Sequence, residues 1–165
     1  MTTIRAVALD VDGVLTDGGF WWGPSGEEFK RFCFADVMGI SLALKAGIRF
    51  ALISGEDSPL VDRYAAKMGI SDVYKGCKDK AAALRSFAAA HHLEMAQICF
   101  MGDDVNDLGA LALAGLSAAP ANACLQVKHQ AMLVTQVSGG AGAVRELLDL
   151  LLASSSGAAG RGRAD

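Results

Sequence analysis

Short, wholly apolar runs alternate along the chain with longer stretches of helical periodicity. Val7 to Asp10, preceded by Ile4 and Ala6, ends in a turn rich in Gly and Asp. Similar runs recur at Phe50 to Ile53, Ile98 to Met101 and Leu116 to Ala118, with a weaker one at Met132 to Val134. Runs of this length without polar alternation suit strands buried on both faces. Between them the pattern predicts helices from Asp36 to Ala46, Ser58-Pro59 to Met68, Asp79 to His91 and Val105 to Ala114, three of them closed by Gly47, Gly69 and Gly115.

Strand and helix in alternation, joined by short connections, predict βαβ units: an α/β, Rossmann-like three-layer sandwich with a mainly parallel sheet. Ligands in such folds bind beyond the carboxyl ends of the strands. One segment breaks the rhythm. Gly18 to Phe32, with Gly23-Pro24-Ser25-Gly26 between two β-prone runs, predicts a projecting hairpin (residues 18–32) that carries Phe20, Trp21 and Trp22. Residues 1–153 read as one domain, and the Ser, Gly, Ala and Arg tail from Ser154 to Asp165 reads as disordered.

Composition narrows the function classes. With 165 residues and 52% hydrophobic content, the chain has material for one real core. Fifteen basic against 18 acidic residues leave a net charge of -3 and no broad basic field, which argues against nucleic acid as a partner. No apolar stretch approaches the ~20 residues that span a bilayer, and the amino terminus lacks the features of a signal peptide. Cys33, Cys77, Cys99 and Cys124 form no C-x-x-C pair and read as free thiols of a cytoplasmic protein.

The candidate chemistry lies at strand ends. Asp10 and Asp12 in Asp10-Val-Asp-Gly-Val-Leu-Thr-Asp17 are two residues apart, a spacing that lets both converge on one site. An Asp-Gly turn in which Asp12 bonds its own backbone would use the same residues. Asp103, Asp104 and Asp107 follow the Ile98 to Met101 run and open a helix, whose positive end accounts for part of that cluster. Like charges at 4 Å repel by about 1 kcal/mol even in water, and carboxylates without His or Cys companions suit magnesium rather than zinc. Ser54-Gly55 follows another apolar run and offers a hydroxyl and N–H groups to an anion. Lys80 starts a helix where an ammonium can meet a phosphate oxygen or a carboxylate. Together these parts describe phosphoryl transfer to a carboxylate, which needs a cation, a lysine, anion donors and a second carboxylate for proton transfer.

The set Asp10-x-Asp12-Gly-Val-Leu-Thr-Asp17, Ser54-Gly55, Lys80 and Gly102-Asp103-Asp104-x-x-Asp107 resembles the haloacid dehalogenase superfamily. Ile4 to Leu152 is similar to its capless 3-deoxy-D-manno-octulosonate 8-phosphate phosphatases, including the hairpin, Ala119-Pro-Ala-Asn122 and Gly139-Gly-x-Gly-Ala-Val-Arg-Glu146. The resemblance implies Mg2+, a homotetramer and hydrolysis of phosphorylated eight- or nine-carbon 2-keto-3-deoxy sugar acids, in lipopolysaccharide or sialic acid biosynthesis. It makes Asp10 the nucleophile and a metal ligand. Asp12 becomes the acid/base and a ligand through its backbone carbonyl, and Asp103 the remaining ligand, supported by Asp104 and Asp107. Ser54 and Lys80 would hold the phosphoryl group, with Gly13, Gly55, Glu56, Lys67 and Asp36 as substrate-binding positions. Glu56, where octulosonate enzymes usually carry Arg, and Lys67 resemble the relatives that act on nononate and neuraminate 9-phosphates.

Two other classes compete. A receiver domain also combines a strand-end Asp with Lys and magnesium, but its paired acids are adjacent at the first strand. A noncatalytic subunit of a sugar-acid cytidylyltransferase is the second rival, opposed by intact Asp10, Asp12, Lys80 and Asp103. With only 25 residues between Ser54 and Lys80, no cap domain fits there, so the site is expected to need a neighbouring copy to close it.

Overall fold

The structure, a computed structural model, describes residues 3–159. Six parallel strands form one sheet: β1 (Ala6–Leu9), β4 (Arg49–Ile53), β5 (Asp72–Tyr74), β6 (Ile98–Met101), β7 (Leu116–Ala119) and β8 (Leu133–Val134), in the order β5-β4-β1-β6-β7-β8. The chain builds outward from β1 to one edge and then returns to its other side. The topological switch point therefore lies at β1, with β4 and β6 as its neighbours. Asp10, Ser54 and the Gly102-Asp103 turn leave these three central strands at the same end of the sheet.

Alternation along each strand divides the core between two faces. Val7 and Leu9 of β1 join Phe50, Leu52, Cys99 and Met101 beneath α1 (Phe34–Lys45), α2 (Pro59–Met68) and α6 (Ala143–Ala159). Ala6 and Ala8 point the other way, where their small side chains leave room for Phe87 and Phe100 under α3 (Lys80–Ala90), α4 (Leu108–Leu113) and α5 (Leu125–Gln130). Burying a large side chain of this kind contributes about 1.5–3 kcal/mol, so the interdigitated layers hold the three strand ends in fixed relation. The helix starts are capped from within: Ser58 Oγ accepts from Leu60 N at 3.3 Å and Asp79 Oδ1 from Ala82 N at 3.0 Å.

The projecting hairpin is formed by β2 (Trp21–Trp22) and β3 (Glu28–Phe29), an antiparallel pair of two-residue strands closed by the Gly23 N–H to Glu27 carbonyl bond. Trp21 and Trp22 stand 75% and 72% exposed.

Two sequence expectations need correction. The single helix expected from Val105 to Ala114 begins instead as a 3-10 turn, Val105–Asp107, before α4. The cause is Asp107, whose Oδ2 accepts the N–H groups of Asp103 and Asp104 and tightens the turn. The tail expected to be disordered from Ser154 instead continues α6 to Ala159, and residues 160–165 of that expectation lie outside the described residues. Ser154 and Ser155 donate their hydroxyls back to the Leu151 carbonyl, so residues that read as breakers remain bonded to the helix. No helix among the described residues is long and apolar enough to cross a membrane.

Candidate active site

Three elements deliver the central charges. Asp10 follows β1, its N–H held by the Met101 carbonyl at 3.0 Å, and only 5% of the residue is exposed. Asp103 follows β6, and Lys80 enters from the first turn of α3. Lys80 Nζ lies 2.8 Å from Asp10 Oδ1 and 2.7 Å from Asp107 Oδ1, with its side chain 1% exposed. Asp107 is sealed on both oxygens, one on Lys80 and the other on the backbone of 103 and 104. It braces the lysine and the Asp103 turn together.

Carboxylate oxygens of Asp10, Asp103 and Asp107 all lie within 4.8 Å of one another. Burial, then the Asp107 charge, raises the Asp10 carboxyl well above its ordinary range, although Lys80 opposes this. The same two causes push Asp103 up to about 6. One lysine does not neutralise the cluster. An all-oxygen set of this compactness fits a hard divalent cation such as magnesium, with Asp10 and Asp103 placed to hold it.

Gly13 makes this proximity possible. Its φ of +85° belongs to the left-handed region, and a Cβ there would collide with the Asp103 carboxylate. Its N–H is taken by Thr16 Oγ1 at 3.3 Å. Asn122 stitches the loop to the other side of the site, donating to the Gly13 carbonyl at 2.9 Å and accepting from Gly139 N at 2.6 Å.

A cleft of about 250 Å³ opens above the cluster, lined by Asp10, Asp12, Gly55, Glu56, Lys80 and Asp103, with Gly18, Asp104 and Asn106 completing its wall. Ser54 is 1% exposed, its Oγ accepting the Glu56 N–H at 3.2 Å. Asp104 caps its own turn through Val105 N at 2.7 Å. The expected set is thus brought together at Asp10, Asp12, Ser54, Gly55, Glu56, Lys80, Asp103, Asp104 and Asp107.

Two expected substrate positions fall elsewhere. Asp36 is completely buried at the start of α6, where its Oδ1 accepts Arg145 N at 2.8 Å. A carboxylate enclosed between α1 and α6 is a helix cap rather than a cleft residue, and burial raises its pKa. Lys67 lines a separate cavity of about 660 Å³ beside Arg63, Tyr64, Phe29, Phe32 and Lys30. Lys30 borders this cavity while reaching Asp12. Sequence reasoning missed Lys30 and Asn106. Lys30 reads as one more charge in the Glu27 to Arg31 run, and Asn106 as filler inside an acidic cluster.

The strand-end acids, the buried lysine and the parallel sheet define a haloacid dehalogenase-like hydrolase, and residues 44–147 match the model of that family. The chain belongs within it to the 3-deoxy-D-manno-octulosonate 8-phosphate phosphatase family and is a phosphoric monoester hydrolase. It is 40% identical over 149 residues to the 3-deoxy-D-manno-octulosonate 8-phosphate phosphatase of Escherichia coli K12, covering 90% of this chain and 79% of that protein. The crystal structure of the Yersinia pestis phosphatase matches with a TM-score of 0.91 at 37% identity, covering 93% of this chain and 83% of that one. The Moraxella catarrhalis enzyme, solved with magnesium, phosphate and a KDO molecule, matches with a TM-score of 0.89 at 36% identity, covering 92% and 87% of the two chains.

Proposed function

We propose that this chain is a magnesium-dependent phosphatase of an eight- or nine-carbon 2-keto-3-deoxy sugar acid, acting through an aspartyl-phosphate at Asp10. The observation that carries the reading is Lys80, held 2.8 Å from Asp10 at the floor of an acid-lined cleft. Attack by a carboxylate on a phosphate dianion is opposed by charge, and a buried ammonium at the attacking group offsets it. Magnesium, when bound by Asp10 and Asp103, supplies the remaining neutralisation of the phosphoryl oxygens.

In the first step an Asp10 oxygen forms a bond to phosphorus, the ester P–O bond breaks, and Asp12 gives its proton to the departing sugar oxygen. In the second, water attacks phosphorus and gives a proton to Asp12, and the bond to Asp10 breaks to release inorganic phosphate. Gly55 borders the cleft where phosphoryl oxygens would sit, and the buried Ser54 behind it would need to turn its hydroxyl from Glu56 N to reach them. The family resemblance favours octulosonate 8-phosphate, while Glu56 at the rim favours the nine-carbon acids; an intact acid set opposes a purely auxiliary role.

The exposed faces of Phe20, Trp21, Trp22, Phe29 and Phe34 support assembly into a homotetramer that closes the cleft. The deciding experiment is a comparison of kcat/KM for eight- and nine-carbon keto acid phosphates with magnesium, beside Asp10→Asn. Turnover of at least one sugar acid well above an aryl phosphate, abolished in the variant, is the expected result. Retained activity in Asp10→Asn would refute the covalent route, and equal rates on every ester would refute the sugar-acid reading.

A further inference from the structure

Two lysines, Lys80 in the cleft wall and Lys30 beside it, divide the carboxylates around the cleft. Lys80 holds Asp10 and Asp107 on the metal side. Lys30 holds Asp12 through both oxygens, at 2.8 and 3.0 Å, and Glu56 at 2.8 Å. Glu28 stands farther away, at 3.6 Å. The Lys30 side chain is 1% exposed, whereas the Asp12 and Glu56 side chains are 30% and 55% exposed. A buried ammonium thus joins two acids that face the cleft.

We propose that Lys30 is a positioning residue that fixes the Asp12 carboxylate for proton transfer, with Glu56 as the anchor that keeps Lys30 in place. The proposal rests on the assignment of Asp12 as the acid/base. Asp12 lies in the turn that leaves β1 and is partly open to water, so without a partner its carboxylate would be free to rotate. The neighbouring Asp10, Asp103 and Asp107 cluster would then draw any bound cation and Asp12 together. Two-oxygen contact with one ammonium removes that freedom and keeps the carboxylate out of the metal cluster. Lys30 itself is long and flexible. Its second contact, to Glu56 in the loop after β4, ties the hairpin to the sheet side of the cleft and limits where the ammonium can go. In proton transfer Glu56 then acts only through Lys30, apart from any contact it makes with substrate at the rim.

The test uses an aryl phosphate, which has no sugar acid to contact, with magnesium and the full-length protein. Lys30→Met is expected to lower kcat about 100-fold with KM changed less than about twofold, the scale of a misplaced catalytic group. Lys30→Arg restores most of the loss. Glu56→Gln lowers kcat less, and the same change made in Lys30→Met has no further effect, as for residues acting in series. Unchanged thermal midpoints show that the variants fold. A crystal structure of Lys30→Met is expected to show the Asp12 carboxylate displaced.

Wild-type kcat in Lys30→Met overturns the proposal, as does an Asp12 carboxylate that keeps its place there. Independent, additive losses from the two changes overturn the anchoring role of Glu56. A rise in KM for sugar acids alone, with kcat intact, would make Lys30 a substrate contact instead. Failure of the sugar-acid reading is separate: it appears as a wild-type protein that turns over the aryl phosphate and no sugar acid.

Discussion

Lys80 Nζ and Asp107 Oδ1 meet at 2.7 Å across 27 residues of sequence, and both side chains are sealed from water. This pair joins the first turn of α3 to the loop after β6, so the residues proposed to support phosphoryl transfer also hold two layers together. A buried ion pair is not a large net source of stability, but removing one partner leaves the other uncompensated.

Lys80→Met should therefore cost about 3–5 kcal/mol of stability in the metal-free protein as well as activity. Urea unfolding in the presence of a chelator measures the first and aryl phosphate turnover the second. A variant as stable as the parent would show that Asp10 and Asp107 do not depend on the lysine.

In the metal-free protein Asp103 is pushed from an ordinary 3.8 up to about 6, and Asp10 is shifted in the same direction. Over that interval the folded state keeps protons that the unfolded chain releases. Stability should consequently fall as pH rises from about 4 through about 6, and the Asp10 shift adds to the fall in the same direction. Excess magnesium should remove or reverse this slope, and Asp103→Asn should reduce it. Thermal midpoints across the interval, with chelator and with magnesium, give the comparison; a metal-free midpoint that rises with pH there would contradict the geometry.

Magnesium binds the folded site only, so it should raise the unfolding free energy by about 2.7 kcal/mol at one hundred times its dissociation constant. Asp103→Asn should shrink the effect in calorimetry. An equal shift in that variant would place the ion elsewhere.

Gly13→Ala should be damaging although the change adds one methyl group. The residue sits at φ +85°, where an L side chain costs about 1–2 kcal/mol, and the new Cβ would strike the Asp103 carboxylate. Loss of magnesium affinity together with lower stability is expected from titration and denaturant melts. Parental affinity would show that the Asp103 turn can yield.

Replacing Trp21 and Trp22 with Ser should dissociate the proposed tetramer, since these rings are among the most exposed large apolar groups of the described residues and lie side by side on the hairpin. Light scattering and turnover on the same samples test it. A monomeric, active parent protein would remove the basis of the prediction.

Apolar runs that end in Asp, Ser or Gly-Asp were enough to place Asp10, Ser54 and Asp103 at strand ends, because a buried parallel strand shows its period and its exit in local sequence. Lys80 was legible for a similar reason, as the first residue after a capping Asp79. Partnership was not legible. Lys30 lies in a short charged hairpin, and only the folding of that hairpin over the cleft puts its ammonium beside Asp12, 18 residues away, and Glu56, 26 residues away. Asp36 shows the opposite case: the family resemblance suggests a site residue, yet its backbone partner, Arg145 N, is 109 residues distant and makes it a buried cap. Local sequence determined which groups leave the sheet and at which end, because periodicity and capping act within a few residues. The tertiary structure alone decided which carboxylate each lysine holds, because a long flexible ammonium takes its partner from whatever acid the packing brings within 3 Å.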